Sequence, residues 1–189
     1  MGDRWGVESP PAEAYSRVTR DMHAVFGGLH AHADTLVAEL STKYGATAAP
    51  ASDVDLRRFS RSTDLLRAAA VRPDDPAASP LLFGWTSHPA LVIGFGRYLH
   101  PGIVPMCGCD ACDTDLQEAL DEVSRLVRLV IGGFDEAVRR RLSGVELGYR
   151  AAEESASGLV RRRDAGYREL PRRSRTITWV PWSARQHAG

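Results

Sequence analysis

Residues 114–134, TDLQEALDEVSRLVRLVIGGF, carry the pattern of an amphipathic helix. Apolar residues recur along this stretch in steps of four and three, which is the spacing of one face of an α-helix. Thr114 and Gln117 have the spacing of a capping box, and acidic residues lie near the helix end that carries the positive dipole charge. The pattern predicts a long core helix whose apolar stripe packs against a sheet.

A second long helix is predicted upstream, over residues 9–41. Ser9 followed by two prolines suits a helix start, and apolar residues then follow at helical spacing. Gly27 and Gly28 lie inside this stretch, where each costs about 1 kcal/mol relative to alanine. We therefore expect a bend or a close approach of another backbone at the glycine pair. Residues 44–63 predict a surface connection with a short ordered patch around residues 54–59.

Short apolar runs bounded by turn residues predict an antiparallel meander, a later hairpin and a last strand. These segments are residues 65–71, 81–86, 91–95, 98–104, 145–152, 158–162 and 176–182. Together with the two helices they predict an α+β fold, a mainly antiparallel sheet packed on one face by two long helices.

Composition indicates one domain over residues 1–189, because 43% apolar residues suffice for a sizeable core. The 24 basic and 24 acidic residues balance, which argues against a nucleic-acid partner, although twelve arginines against five acids follow from residue 139 onward. No run of about 18 apolar residues occurs, and residues 1–11 lack the apolar core of a signal peptide. We expect a cytoplasmic protein that is not attached to a membrane.

The chain's three cysteines, Cys107, Cys109 and Cys112, lie within six residues. Their odd number and a reducing cytosol argue against a disulfide framework. A Cys-x-x-Cys turn lets two sulfurs face one ion, and the Cys-x-Cys step adds a third thiolate. The cluster therefore predicts a zinc site at the junction between the sheet and the core helix. The candidates for a fourth ligand are His100, the nearest imidazole, and Asp110, Asp113 and His88.

Three interpretations of the cluster stay open at this point. With His100 the site is closed, which suits a structural ion, whereas a water in its place suits catalysis. Thiol redox chemistry is the second interpretation, because Cys112 precedes a helix N-terminus that favours its thiolate, although Asp110 and Asp113 oppose this effect. The third is that the cysteines are inert core residues.

The Cys-Gly-Cys-Asp-Ala-Cys-Asp segment at residues 107–113 resembles that of an uncharacterised family of actinobacterial proteins of similar length. The resemblance extends back through GFGR at residues 94–97 to PLLFGWT at residues 80–86, and more loosely across the chain. It implies relatives without an assigned activity. Where the family pattern leads us to expect an acid, this chain has Thr114, so helix capping is the role expected for that residue.

Other clusters predict weaker candidate sites. His23, His30, His32 and Asp34 share the first helix but lack a metal-binding motif, so a solvated helix surface is the preferred interpretation. No Gly-x-Ser-x-Gly elbow occurs. Near the C-terminus, Trp179 is expected in the core and Trp182 to be exposed. The candidate residues for binding a protein partner are Trp182, Arg175 and Arg185.

These observations predict a non-catalytic binding or accessory protein with a structural zinc site built on the cysteines. One alternative is a small thiol oxidoreductase or metalloenzyme that uses the same cysteines. The other is a partner-binding module of the toxin-neutralising type that uses the C-terminal Trp and Arg residues.

Overall fold

Two antiparallel sheets and two long helices dominate the described part of the chain. The computed structural model describes residues 9–56, 64–98, 102–163 and 170–185. Within these ranges the helices are a 3-10 helix at Ala12–Ser16, α1 Met22–Phe26, α2 Gly28–Lys43, α3 Asp53–Leu56 and α4 Leu116–Gly132. The strands are β1 Ala46–Pro50, β2 Leu65–Pro73, β3 Leu81–Thr86, β4 Leu91–Phe95, β5 Gly102–Val104, β6 Phe134–Arg141, β7 Gly144–Arg150, β8 Ser155–Arg161 and β9 Arg175–Trp179.

The strands are divided between a first sheet of order β1-β2-β3-β4-β5 and a second sheet of order β8-β7-β6-β9. All neighbouring strands in both sheets run antiparallel. The helices α2 and α4 pack against each other and against the first sheet. The predicted α+β class is confirmed, and the strands foreseen for one sheet form two. None of the described helices is long and apolar enough to cross a membrane.

The core helix α4 begins one residue later than the capping box predicted from Thr114 and Gln117. Asp115 is the N-cap: its carboxylate accepts from the Glu118 N–H at 2.8 Å, and the Glu118 carboxylate accepts from the Asp115 N–H at 3.2 Å. The Asp115 carboxylate is charged and so also interacts with the helix dipole, which the Thr114 hydroxyl cannot do.

The end of α4 is set by Gly133, whose φ is +79°. A Cβ at this position would lie 2.7 Å from the Trp179 carbonyl oxygen, so only glycine permits the approach of β9. The chain therefore leaves the helix here, and Phe134, expected on its apolar stripe, opens β6 instead.

The prediction of a single helix over residues 9–41 was wrong. The chain forms the 3-10 helix, α1 and α2 there instead. Asp21 caps α1 by accepting from the N–H groups of His23 and Ala24. Between the 3-10 helix and Asp21, the backbone N–H of Thr19 donates to Asp110 rather than to a helical carbonyl. A contact with a distant residue therefore ends the helix that local propensity favours. The bend expected at the glycine pair is present as the break between α1 and α2 at Gly27.

Glu136 of β6 joins the second sheet to the end of β4 in the first. Its fully buried carboxylate accepts from the N–H groups of Arg97 at 2.7 Å and Tyr98 at 2.8 Å, and from the Trp179 indole at 2.9 Å. At Gly96, where φ is +71°, a Cβ would lie 2.8 Å from this carboxylate. One hydrophobic cluster contains residues of α2, α4 and both sheets, so the core is continuous across the junction.

Candidate metal centre

The cysteine loop, residues 107–112, lies between β5 and α4 and brings three sulfur atoms together. The Sγ atoms of Cys107, Cys109 and Cys112 all lie within 4.8 Å of one another, and those of Cys109 and Cys112 are 3.5 Å apart. Sulfurs bound to tetrahedral zinc at about 2.3 Å are separated by about 3.8 Å. The donor set therefore matches in size and chemistry a site for a thiophilic ion.

The N-terminal segment anchors the loop through its backbone and one carboxylate. The N–H of Asp110 donates to the Arg17 carbonyl at 2.8 Å, and that of Ala111 to the Ala14 carbonyl at 3.1 Å. The buried Asp110 carboxylate accepts from both the N–H and the hydroxyl of Thr19 at 2.9 Å. These bonds hold the loop in shape without using any of the three sulfurs.

Within the loop, the backbone turns tightly around the sulfurs. The N–H of Cys109 points at the Cys107 Sγ at 3.3 Å, and the N–H of Cys112 donates to the Cys109 carbonyl at 3.2 Å. A Cβ at Gly108 would lie 2.3 Å from the Met22 methyl carbon, so glycine allows α1 to pack directly on the loop.

The thiols differ strongly in acidity. Hydrogen bonds from the Cys107 thiol, from the Cys112 and Ala111 N–H groups and from the Cys112 thiol lower the pKa of Cys109 to about 7. The pKa of Cys112 is raised to about 12, because its proton is shared with the neighbouring sulfurs and a second anion beside them is unfavourable. The lowered pKa that the redox interpretation expected for Cys112 beside the helix N-terminus is therefore not found. Cys112 lies before the N-cap Asp115, and its neighbouring sulfurs outweigh the helix dipole.

The described residues add no histidine or carboxylate to the three sulfurs. Asp110 is engaged by Thr19, the Asp113 carboxylate lies 3.5 Å from the Arg20 guanidinium, and His88 is an exposed residue of the turn between β3 and β4. His100 lies outside the described residues. The assignment of His100 as the fourth ligand stays a prediction.

Arg20 places a half-buried positive charge beside Asp113 and Thr114, the two residues that follow the loop. Its Nη1 donates to the Thr114 carbonyl at 2.9 Å, whereas Nε and Nη2 are buried without a hydrogen-bond partner in the described part of the chain. Three thiolates and one divalent ion carry a net charge of about −1. The Arg20 guanidinium, which also lies 3.5 Å from the Asp113 carboxylate, carries a charge of the sign that would offset this one.

The helical histidines do not converge. The His30 Nε2 lies 3.1 Å from the Ala90 carbonyl, the His32 Nε2 lies 3.4 Å from the Ser124 hydroxyl, and Asp34 pairs with Arg67 at 2.7 Å. His23 is exposed. Each group contacts a different element, and the structure brings no metal or acid-base site together here.

The expectation that Trp182 is exposed was wrong. Its side chain is 5% exposed, its indole N–H donates to the Ser79 carbonyl at 2.9 Å, and its ring meets that of Tyr44 edge-on at 5.9 Å. The segment after β9 returns across the core, so a residue beyond the last strand is covered. Trp179 is half-buried against the main core cluster, as expected.

The two candidate arginines are exposed but hold the chain's own elements. Arg185 donates to the carbonyls of Tyr44 at 2.8 Å and Ala46 at 3.4 Å, and Arg175 donates to the Tyr98 hydroxyl at 3.2 Å. The C-terminal segment is therefore not assembled as a patch around an exposed tryptophan.

Sequence reasoning missed the anchors of the loop, Thr19 and Arg20. Thr19 is 91 positions from its partner Asp110, and no local pattern signals a contact over that distance. Helical spacing continues through Tyr15, Val18 and Met22, so no local signal marked either anchor.

A search of the curated proteins found no match, and neither did a search of the solved structures. A family model described as a family of unknown function, DUF6226, matches residues 1–186. This range includes both sheets, both long helices and the whole cysteine loop. The chain therefore belongs to the family of unknown function DUF6226.

Proposed function

We propose that this chain is a cytoplasmic, non-catalytic binding or accessory protein in which Cys107, Cys109 and Cys112 hold a structural zinc ion. The observation that carries the proposal is the convergence of three Sγ atoms within 4.8 Å on an anchored loop. Zinc is proposed because thiolates are its usual structural ligands and its tetrahedral size agrees with the sulfur separations. Bound there, the ion would hold in one shape the loop that connects the end of the first sheet to the start of α4.

His100 is proposed as the fourth ligand, which closes the site. A closed shell leaves no position for a substrate, so the ion stabilises the fold and the surface around the loop. The Asp110 carboxylate and the Arg20 guanidinium are proposed to act around the ion, the first by holding the loop and the second by balancing charge.

Metal analysis of the protein purified without a histidine tag tests the proposal. We expect about one equivalent of zinc, and a lower unfolding temperature after chelation. The variant Cys109→Ser is expected to lose the metal. A content below about a tenth of an equivalent, with three freely titrating thiols, contradicts a zinc site.

A pair of matched variants tests the fourth ligand. His100→Ala is expected to weaken zinc binding by at least about tenfold, whereas His88→Ala is expected to leave it unchanged. Equal affinities for the two variants contradict the assignment of His100.

A second candidate function is a thiol oxidoreductase, and the acidity of Cys109 favours it. A thiol with a pKa of about 7 is substantially ionised at neutral pH, and the Cys112 sulfur lies 3.5 Å away as a resolving partner. Redox function predicts that zinc-free protein has one fast-reacting thiol, Cys109, and forms a Cys109–Cys112 disulfide in a glutathione redox buffer. Reversible disulfide formation together with disulfide reductase activity would favour this candidate over structural zinc.

We also infer that residues 1–189 form one domain of actinobacterial origin. The continuous core that contains both sheets and both long helices supports the first part. One cooperative thermal transition, seen identically by tryptophan fluorescence and circular dichroism, is the expected result. The Cys-Gly-Cys-Asp-Ala-Cys-Asp segment supports the second part, and the taxonomic distribution of the family tests it.

A further inference from the structure

A cavity of about 400 Å³ opens on the outer face of the second sheet, away from the residues of the cysteine loop. On β6 the residues that line it, Asp135, Ala137 and Arg139, alternate with the buried residues Phe134, Glu136 and Val138. This volume falls within the range of small-molecule sites, about 300–1,000 Å³.

The register of the sheet explains the concave shape. Ala137 pairs with Gly148 on β7 and Thr176 on β9, and Gly148 pairs with Ser157 on β8. Small side chains therefore cross the middle of all four strands. Longer, charged side chains stand on both sides: Arg150 opposite Asp135, and Arg139 opposite Glu146. The two arginines are four positions apart along the strands, or about 13 Å.

The charges on the two sides are used differently. Glu146 accepts from Arg141 at 2.7 Å and lies 4.0 Å from Arg139, and Arg141 above all lowers the pKa of this carboxyl. The Asp135 carboxylate accepts from the Thr178 hydroxyl at 2.7 Å. Both acidic groups are thus engaged within the sheet.

Arg150 is different, since its guanidinium makes no hydrogen bond or ion pair with any residue that the structure describes. The hydroxyls of Ser155, which pairs with Arg150, and of Thr176 are likewise unused among the described residues. All three groups line the same cavity and can donate hydrogen bonds. Asp135 and Glu146 keep their negative charges but already accept hydrogen bonds within the sheet. The three groups left without a described partner are all donors, and donors are complementary to an anion.

We propose that this cavity binds a small oxyanion, a phosphate or carboxylate group, through Arg150, Ser155 and Thr176. The planar guanidinium presents two parallel N–H groups to two oxygens, and the hydroxyls add donors from the neighbouring strands. Across the cavity, Glu146 is paired with Arg139 at 4.0 Å and with Arg141 at 2.5 Å, so two arginines offset the charge of this acid. The site belongs to a sheet separate from the loop and does not depend on metal there.

Amide chemical shifts of the ¹⁵N-labelled protein test this site, with inorganic phosphate and succinate as separate probes at constant ionic strength. We expect at least one probe to cause saturable shifts at Gly148, Arg150, Ser155 and Thr176. Saturation by phosphate alone identifies phosphate as the recognised group, and saturation by succinate alone identifies carboxylate. Failure of both probes to saturate overturns the proposal.

Two variants and one control decide whether the cavity holds the anion. Arg150→Gln is expected to weaken binding about tenfold, whereas Arg128→Gln, at an exposed position of α4, is expected to leave it unchanged. Ala137→Leu fills the cavity without removing a charge and is expected to abolish saturation. Equal binding by the wild type and Arg150→Gln, or by the wild type and folded Ala137→Leu, overturns the proposal.

Discussion

The C-terminal segment, residues 175–185, and the cysteine loop both carry distinctive side chains. The two regions differ in what these side chains contact. In the segment, Trp182 and Arg185 donate to carbonyls of the chain itself. In the loop, three sulfurs converge while the anchoring bonds are made by backbone groups and by Asp110. Side chains whose polar atoms bond distant parts of the chain have less to offer a partner, whereas three sulfurs that bond only within their own loop form a candidate site.

Replacing Trp182 tests the structural role of the C-terminal segment and has the largest expected effect. Trp182→Ala removes a buried ring and is expected to lower the free energy of unfolding by about 4 kcal/mol. Trp182→Phe keeps most of the packing but leaves the Ser79 carbonyl without its donor, and about 1–2 kcal/mol is expected. Urea denaturation measures both. A loss below about 1 kcal/mol for Trp182→Ala would show that this residue is not part of the core.

Glu136→Ala tests the hydrogen bonds by which Glu136 joins Trp179 of the C-terminal segment to the end of β4. The change leaves the N–H groups of Arg97, Tyr98 and Trp179 without their common acceptor, and we expect a loss of about 3 kcal/mol. Glu153→Gln, at an exposed position, serves as the control and is expected to stay within about 0.5 kcal/mol of wild type. Equal stability of the two variants would contradict the junction at Glu136.

Asp110→Asn tests how the cysteine loop is anchored. The loss of a charged acceptor for Thr19 is expected to destabilise the protein by about 1–2 kcal/mol and to weaken zinc binding about tenfold. Thr19→Val removes only the hydroxyl donor, so a smaller change in the same direction is expected. Competition with a chromophoric chelator measures the affinity, and an unchanged value for Asp110→Asn would show that the anchor does not shape the site.

The pH dependence of the zinc-free loop is the smallest expected effect. Thiolate absorbance should rise with a midpoint near pH 7 in the wild type and in Cys112→Ser, whose hydroxyl still donates, but not in Cys109→Ser. Since the unfolded thiol ionises near pH 9, the lowered pKa of Cys109 stabilises the folded chain fully above pH 9 and progressively less as the pH falls to 7. A midpoint near 9 in all three proteins would contradict the hydrogen bonds among the sulfurs.

Local patterns predicted those elements whose burial depends on adjacent residues. The runs that form β3 and β4 are apolar throughout and bounded by turn residues, and both strands are buried along their whole length. By contrast, β6 was not predicted. Its buried residues alternate along the strand, but one of them is the charged Glu136, so the sequence does not show an alternation of apolar and polar residues. The edge strand β1 was missed because its residues are small, mostly exposed and end in Pro50.

The candidate site could be predicted from the sequence only in part. Three cysteines within six residues bring their sulfurs close in any tight turn, so the donor set could be inferred from spacing. The acidity of Cys109 could not, because it depends on which sulfur accepts the hydrogen bonds of the others. The burial of Trp182 depends on the path of the chain after β9, which no nearby residue specifies.

The contact between Thr19 and Asp110 spans 91 positions of the chain, and this separation has a consequence for folding order. Closing so long a loop carries a large entropic cost, which is offset only after the intervening strands have formed. We therefore expect the cysteine loop to reach its final shape late, after the first sheet. Tight metal capture would then mark a completed molecule, and a shortened N-terminus would leave the sulfurs present but unassembled.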